Sequence, residues 1–122
     1  LGICVGMQIL FEGSEEAPEV AGLGLVPGTL ARFTPPRVPQ MGWNTVEYGG
    51  AFEALSGRYF YFVHSYYAPV LEGSVGISEY AGTRFTAVYA HANVVAPQFH
   101  PEKSGESGLS LLRAVQGYFK RL

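Results

Sequence analysis

Gly2-Ile3-Cys4-Val5-Gly6 leaves the start of this chain few ways to fold. G-x-C-x-G is the pattern of a strand that turns sharply into a helix, exposing the side chain at the apex, with glycines that let the two elements approach without Cβ clashes. A cysteine at that apex stands at a helix N-terminus, where unpaired N–H groups and the helix dipole favour the thiolate. Cys4 is therefore expected to titrate below a free cysteine. Without such a frame, a lone cysteine reads as a small buried hydrophobe. Far along the chain stands Gln98-Phe99-His100-Pro101-Glu102. If extended backbone continues through it, His100 and Glu102 face the same way, with Pro101 restricting the backbone between them. The three residues then read as nucleophile, base and orienter. His100 takes the Cys4 proton and later delivers it to a leaving amine, and Glu102 fixes the imidazole tautomer.

An elbow needs a strand leading into it, and only Leu1, Gly2 and Ile3 precede Cys4. This predicts that the chain is the C-terminal part of one larger domain, with the N-terminal part missing. After the elbow, Met7, Leu10 and Phe11 at near-helical spacing predict a helix over residues 5–12, ended by the acidic, Gly- and Pro-containing stretch 13–28. Short apolar pieces at 29–33, 43–48, 58–63, 73–80, 84–89 and 94–99 read as strands. Pro35, Pro36 and Pro39 make 34–40 a surface loop, and 51–55 fits a single helical turn. Leu109, Leu112, Val115 and Phe119, widened by Leu111 and Tyr118, predict a final helix with that stripe in the core, capped at Ser107.

Composition narrows the class. The chain has 122 residues, 48% hydrophobic and 15% charged, with formal net charge -2, which is one domain's worth of chain with material for a core. No apolar stretch approaches a membrane span, and no basic excess marks a nucleic-acid surface. One cysteine cannot form an internal disulfide, so a reducing cytoplasm is expected. No zinc-type clustering of Cys and His occurs, and neither metal nor cofactor is expected. His91 reads as solvated, whereas His64 is a candidate to line a site.

Together, Gly2-Ile3-Cys4-Val5-Gly6-Met7-Gln8 and Gln98-Phe99-His100-Pro101-Glu102 resemble the class I (triad) glutamine amidotransferases. Pro39-Gln40-Met41-Gly42-Trp43-Asn44, Tyr61-Phe62-Val63-His64-Ser65-Tyr66 and Lys103-Ser104 narrow the likeness to the glutaminase subunits of imidazole glycerol phosphate synthases. The resemblance implies a three-layer α/β/α domain with a mixed sheet. It also implies hydrolysis of glutamine through a thioester on Cys4, with ammonia passed to a (β/α)8-barrel cyclase subunit in histidine biosynthesis. Catalytic roles fall on Cys4, His100 and Glu102. Gln8, Glu16, Ser65 and Tyr66 would meet the bound glutamine, and the Val5 N–H would supply one oxyanion donor. The second donor comes from an upstream loop that this sequence lacks, so the chain alone is expected to be inactive and poorly folded. Glu12, Glu15 and Glu19 read as a solvated acidic loop. Met41, Trp43 and Tyr61 are candidates for the partner face, the glutamine site or the core, Phe60 and Phe62 for the core, and Lys103 for loop positioning, the partner face or solvent. Two alternatives stay open, a γ-glutamyl hydrolase type of enzyme on the same scaffold and an inactive interaction module.

Overall fold

The computed structural model describes residues 1–122. Cys4 leads into a single helical turn, α1 (Val5–Gln8), and the chain then forms β1 (Phe11–Ser14) and β2 (Val26–Arg32). β3 (Gln40–Thr45), β4 (Glu47–Tyr48), β5 (Tyr59–His64), β6 (Tyr66–Tyr67), β7 (Ser74–Tyr80), β8 (Thr83–His91) and β9 (Val94–Pro97) follow, and α2 (Gly105–Lys120) closes the sequence. The sheet is mixed and divided. β1 and β2 run parallel, with β6 antiparallel on the far side of β2; β3 and β5 form a ribbon; β4-β7-β8-β9 form an antiparallel sheet.

The expected helix over 5–12 stops at Gln8. Phe11 pairs with Val26 and is fully buried with Met7, Leu30 and Ala96, so strand pairing overrides the helical spacing of Leu10 and Phe11. Glu12 lies within β1 and Glu15 just past its end, and both are exposed to solvent as expected. Their carboxylates accept the backbone N–H groups of Gly28 and Arg32, each at 2.8 Å. The strands predicted at 43–48 and 58–63 are present, the first broken at Val46, and 51–55 lies within a 3-10 turn, Gly50–Leu55.

β3 and β5 alternate cleanly, as a half-buried ribbon must. Phe60, Phe62 and His64 point inward, against Phe85 and Phe99, while Met41, Trp43 and Tyr59 are exposed on the other face. α2 covers the Phe-rich core with Gly108, Leu111 and Val115. The buried stripe thus lies to one side of the predicted one, and Leu109 is exposed. The helix starts after Ser104 rather than Ser107, and neither hydroxyl caps it, because the Ser104 Oγ is engaged elsewhere.

Candidate active site

The elbow is built by the strand beside it. Gly2 N–H donates to the Val95 carbonyl at 3.0 Å and Cys4 N–H to the Pro97 carbonyl at 2.9 Å, which lays the first residues along β9. Cys4 then takes φ 53° and ψ -105°, a sparsely populated conformation for a residue with a Cβ, of the kind stored at functional sites. The two flanking glycines are not equivalent. A Cβ on Gly2 would lie 2.6 Å from the Gly6 carbonyl oxygen, whereas one on Gly6 would meet open space. Only Gly2 is demanded by close approach.

Cys4 is buried, and its Sγ has two hydrogen-bond partners, the Val63 carbonyl at 3.9 Å and the Gln98 Nε2 at 3.6 Å. His100 is not one of them. Burial pushes the thiol above its ordinary value; the Val5 N–H and the Gln98 amide pull it down, Glu102 raises it and Lys103 lowers it, and burial prevails. The expected depression is overturned, because α1 is one turn long and offers little dipole against the cost of burying a charge.

His100 and Glu102 do meet, by a different route from continued extension. His100 is extended, but Pro101–Lys103 forms a 3-10 turn that swings the Glu102 carboxylate back to His100 Nδ1 at 2.8 Å. Burial raises the Glu102 carboxyl, yet the His100 hydrogen bond, its own backbone N–H and the charges of His100 and Lys103 outweigh this and hold it below the usual value. The pair sits beside the middle of β5, where His100 N–H donates to the Tyr61 carbonyl at 3.0 Å. Ser104, buried, locks this corner. Its hydroxyl donates to the His100 carbonyl at 2.6 Å and accepts the Tyr61 N–H at 2.9 Å. Ser104→Ala should lower stability by about 1–3 kcal/mol and weaken any activity that uses His100, a loss read by thermal melting beside turnover.

A cavity of about 200 Å³ joins Cys4 to the other candidates. Cys4, Val5, Gln8, Glu16, Val63, His64, Ser65 and Tyr66 line it. All four residues expected to meet substrate are therefore present at one opening with Cys4 and Val5, while His100 and Glu102 are not among its lining residues. Glu16 is exposed at its rim, and Gln8 is held by its Nε2 on the Tyr66 carbonyl at 3.1 Å.

Sequence reasoning gave Gln40 and Gln98 no role, although both stood inside quoted motifs. His64 Nδ1–H donates to the Tyr66 carbonyl at 2.9 Å, and the Gln40 side-chain amide lies 2.6 Å from Nε2. Burial drives His64 down to about 4, so the ring is neutral near pH 7. Between about 4 and the ordinary value of 6.5, the unfolded chain binds a proton that the folded chain refuses. Stability is therefore full above pH 6.5 and falls as pH drops through that window, by about 3 kcal/mol. Denaturant melts from pH 7 to 4 should show this slope, and His64→Asn should flatten it.

The glutamine amidotransferase class-I family profile matches residues 1–115. The chain belongs to the class I glutamine amidotransferases. Within that family it is 62% identical over its whole length to a Thermus thermophilus protein named imidazole glycerol phosphate synthase subunit HisH, covering 62% of that relative. Subunits of the same name from Deinococcus radiodurans and Thermococcus kodakarensis are 52% and 51% identical over 92% of the chain, which covers 56% and 62% of their lengths. The chain thus spans about three-fifths of the curated relatives it matches. A solved structure described as a crystal structure of glutamine amidotransferase shares the fold, with TM-score 0.64, 20% identity, and 94% of this chain against 59% of that one.

Proposed function

We propose that this chain supplies the glutaminase chemistry of an imidazole glycerol phosphate synthase: hydrolysis of glutamine to glutamate and ammonia, with the ammonia passed to a (β/α)8-barrel cyclase subunit in histidine biosynthesis. The observation that carries this reading is the single cavity that holds Cys4 with Gln8, Glu16, Ser65 and Tyr66.

The chemistry follows from the hydrogen bonds. With Nδ1–H committed to Glu102, the neutral His100 ring has Nε2 free to accept a proton. His100 takes the proton of Cys4, and the sulfur attacks the amide carbon of glutamine. The Val5 N–H faces the oxyanion. The C–N bond then breaks, His100 returns the proton to the leaving nitrogen, and ammonia departs from a γ-glutamyl thioester. Water, deprotonated by His100, attacks the thioester, and glutamate leaves with the Cys4 thiol restored. The Glu16 carboxylate suits the substrate ammonium, and the Ser65-Tyr66 backbone flanks the amino acid. A single cysteine, with no partner for an internal disulfide, supports a cytoplasmic location. No helix is long and apolar enough to cross a membrane.

The outer face of the β3-β5 ribbon supports the partner. Met41 is 65% exposed, Trp43 55% and Tyr59 59%, with the Trp43 and Tyr61 rings edge to face at 5.9 Å. Exposed aromatic residues and methionine are typical of interface anchors. Met41 pairs with Val63, whose carbonyl meets Cys4 Sγ, so this face runs to the place where ammonia would be released.

Glutamine labelled with 15N at the amide, given to the native protein with its cyclase and the cyclase substrate, tests the reading. Label in imidazole glycerol phosphate, with glutamate formed in equal amount, is the expected result. Hydrolysis indifferent to the cyclase would instead indicate a free-standing cysteine hydrolase, and no hydrolysis an interaction module.

A further inference from the structure

A buried amide joins the nucleophile to the substrate pocket. Gln98 has no solvent exposure, and its main-chain N–H is fixed to the Ala87 carbonyl at 2.7 Å. Its side chain lies between Cys4 and Gln8, with Nε2 at 3.6 Å from Sγ and Oε1 accepting from Gln8 Nε2 at 3.1 Å.

The orientation of this amide is dictated by what surrounds it. The Tyr66 oxygen is a carbonyl, so Gln8 must turn its NH2 toward it; the second hydrogen of that NH2 then goes to Gln98 Oε1. Gln98 is left with N–H facing the sulfur. The neutral thiol is compatible with this, giving its hydrogen to the Val63 carbonyl and accepting from Gln98. When the proton leaves, the two contacts diverge. The Val63 carbonyl then presents a negative dipole end to a negative sulfur, while the Gln98 hydrogen bond gains an ionised acceptor and roughly doubles in strength.

We infer that Gln98 is a catalytic residue of this site, whose N–H stabilises the Cys4 thiolate and whose carbonyl fixes Gln8 so that Gln8 offers the substrate only an acceptor oxygen. The second half follows from counting donors. Both amide hydrogens of Gln8 are committed, and what remains is Oε1, matched to the ammonium or amide N–H of an amino-acid substrate and mismatched to a carboxylate. This inference rests on the glutaminase reading of the cavity.

Two variants separate the roles. Gln98→Met keeps the length of the side chain and removes both contacts; Gln98→Glu keeps an acceptor for Gln8 and removes the N–H at the sulfur. In the native complex, iodoacetamide labelling of the Cys4 peptide is followed by mass spectrometry across pH without glutamine, beside kcat and KM with it. Both variants should move the labelling midpoint upward by about one pH unit, a ~10-fold slower reaction below the midpoint. KM should rise in Gln98→Met and hold near the parent value in Gln98→Glu. The parent's labelling curve in either folded variant overturns the thiolate role, and an upward shift in Gln98→Met, which adds no charge, supports it. Because labelling needs no substrate, a shifted curve in a protein that does not hydrolyse glutamine keeps the Gln98–Cys4 contact and removes only the functional reading.

Discussion

Cys4→Ser is expected to lower glutamine hydrolysis by about 10⁴-fold or more while leaving the fold in place. The serine hydroxyl is smaller and far less acidic than the thiol, and His100 is not hydrogen-bonded to this position in the resting structure, so nothing activates it in advance. The chain holds no second cysteine to substitute. Stability should change by less than about 1 kcal/mol, since the substitution replaces one atom and the contact it loses, from Sγ to the Val63 carbonyl, is long at 3.9 Å. Turnover with the cyclase present, set against a melting curve, checks both halves. A variant retaining a tenth of the parent rate would remove Cys4 from the mechanism.

Two glycines of α2 should respond to substitution with opposite signs. Gly108 packs against the Pro101–Lys103 turn so closely that a Cβ would collide with the Pro101 carbonyl oxygen and crowd the Ser104 Cβ. Gly108→Val should therefore cost at least about 3 kcal/mol, because the neighbour is backbone and cannot step aside. The damage extends to chemistry, since the displaced turn carries Glu102 and is tied to His100 through Ser104. At Gly117 a new Cβ meets only the Arg121 guanidinium, at 3.4 Å. Gly117→Ala should raise stability by about 0.5–1 kcal/mol through helix propensity. Thermal melts of the two variants provide the comparison, and equal effects would refute the packing argument.

The strands were legible because alternation and Gly/Pro punctuation are local signals, and Phe60 and Phe62 fell inward as their period required. The candidate catalytic residues stood out as residue types, since Cys4, His100 and Glu102 lay in motifs. Their environment was not. Whether Pro101 continues a strand or opens a 3-10 turn depends on Ser104 and α2, which pull the chain back toward Tyr61. The length of α1 was decided by Phe11 pairing with Val26, a contact made across a loop that carries no periodic signal. With the helix shortened, the sign of the Cys4 shift reversed. Gln98 and Gln40 were hidden for a related reason: a glutamine in a strand reads as polar surface until the opposing groups that bury it are known.

Because burial makes Cys4 a weaker acid than a free cysteine, the sulfur rests as its protonated thiol between encounters with substrate. Peroxides, disulfides and alkylating agents react with the anion, so a nucleophile stored in protonated form is chemically quiet when idle. The same burial that delays the first proton transfer slows oxidation of the chain's one thiol.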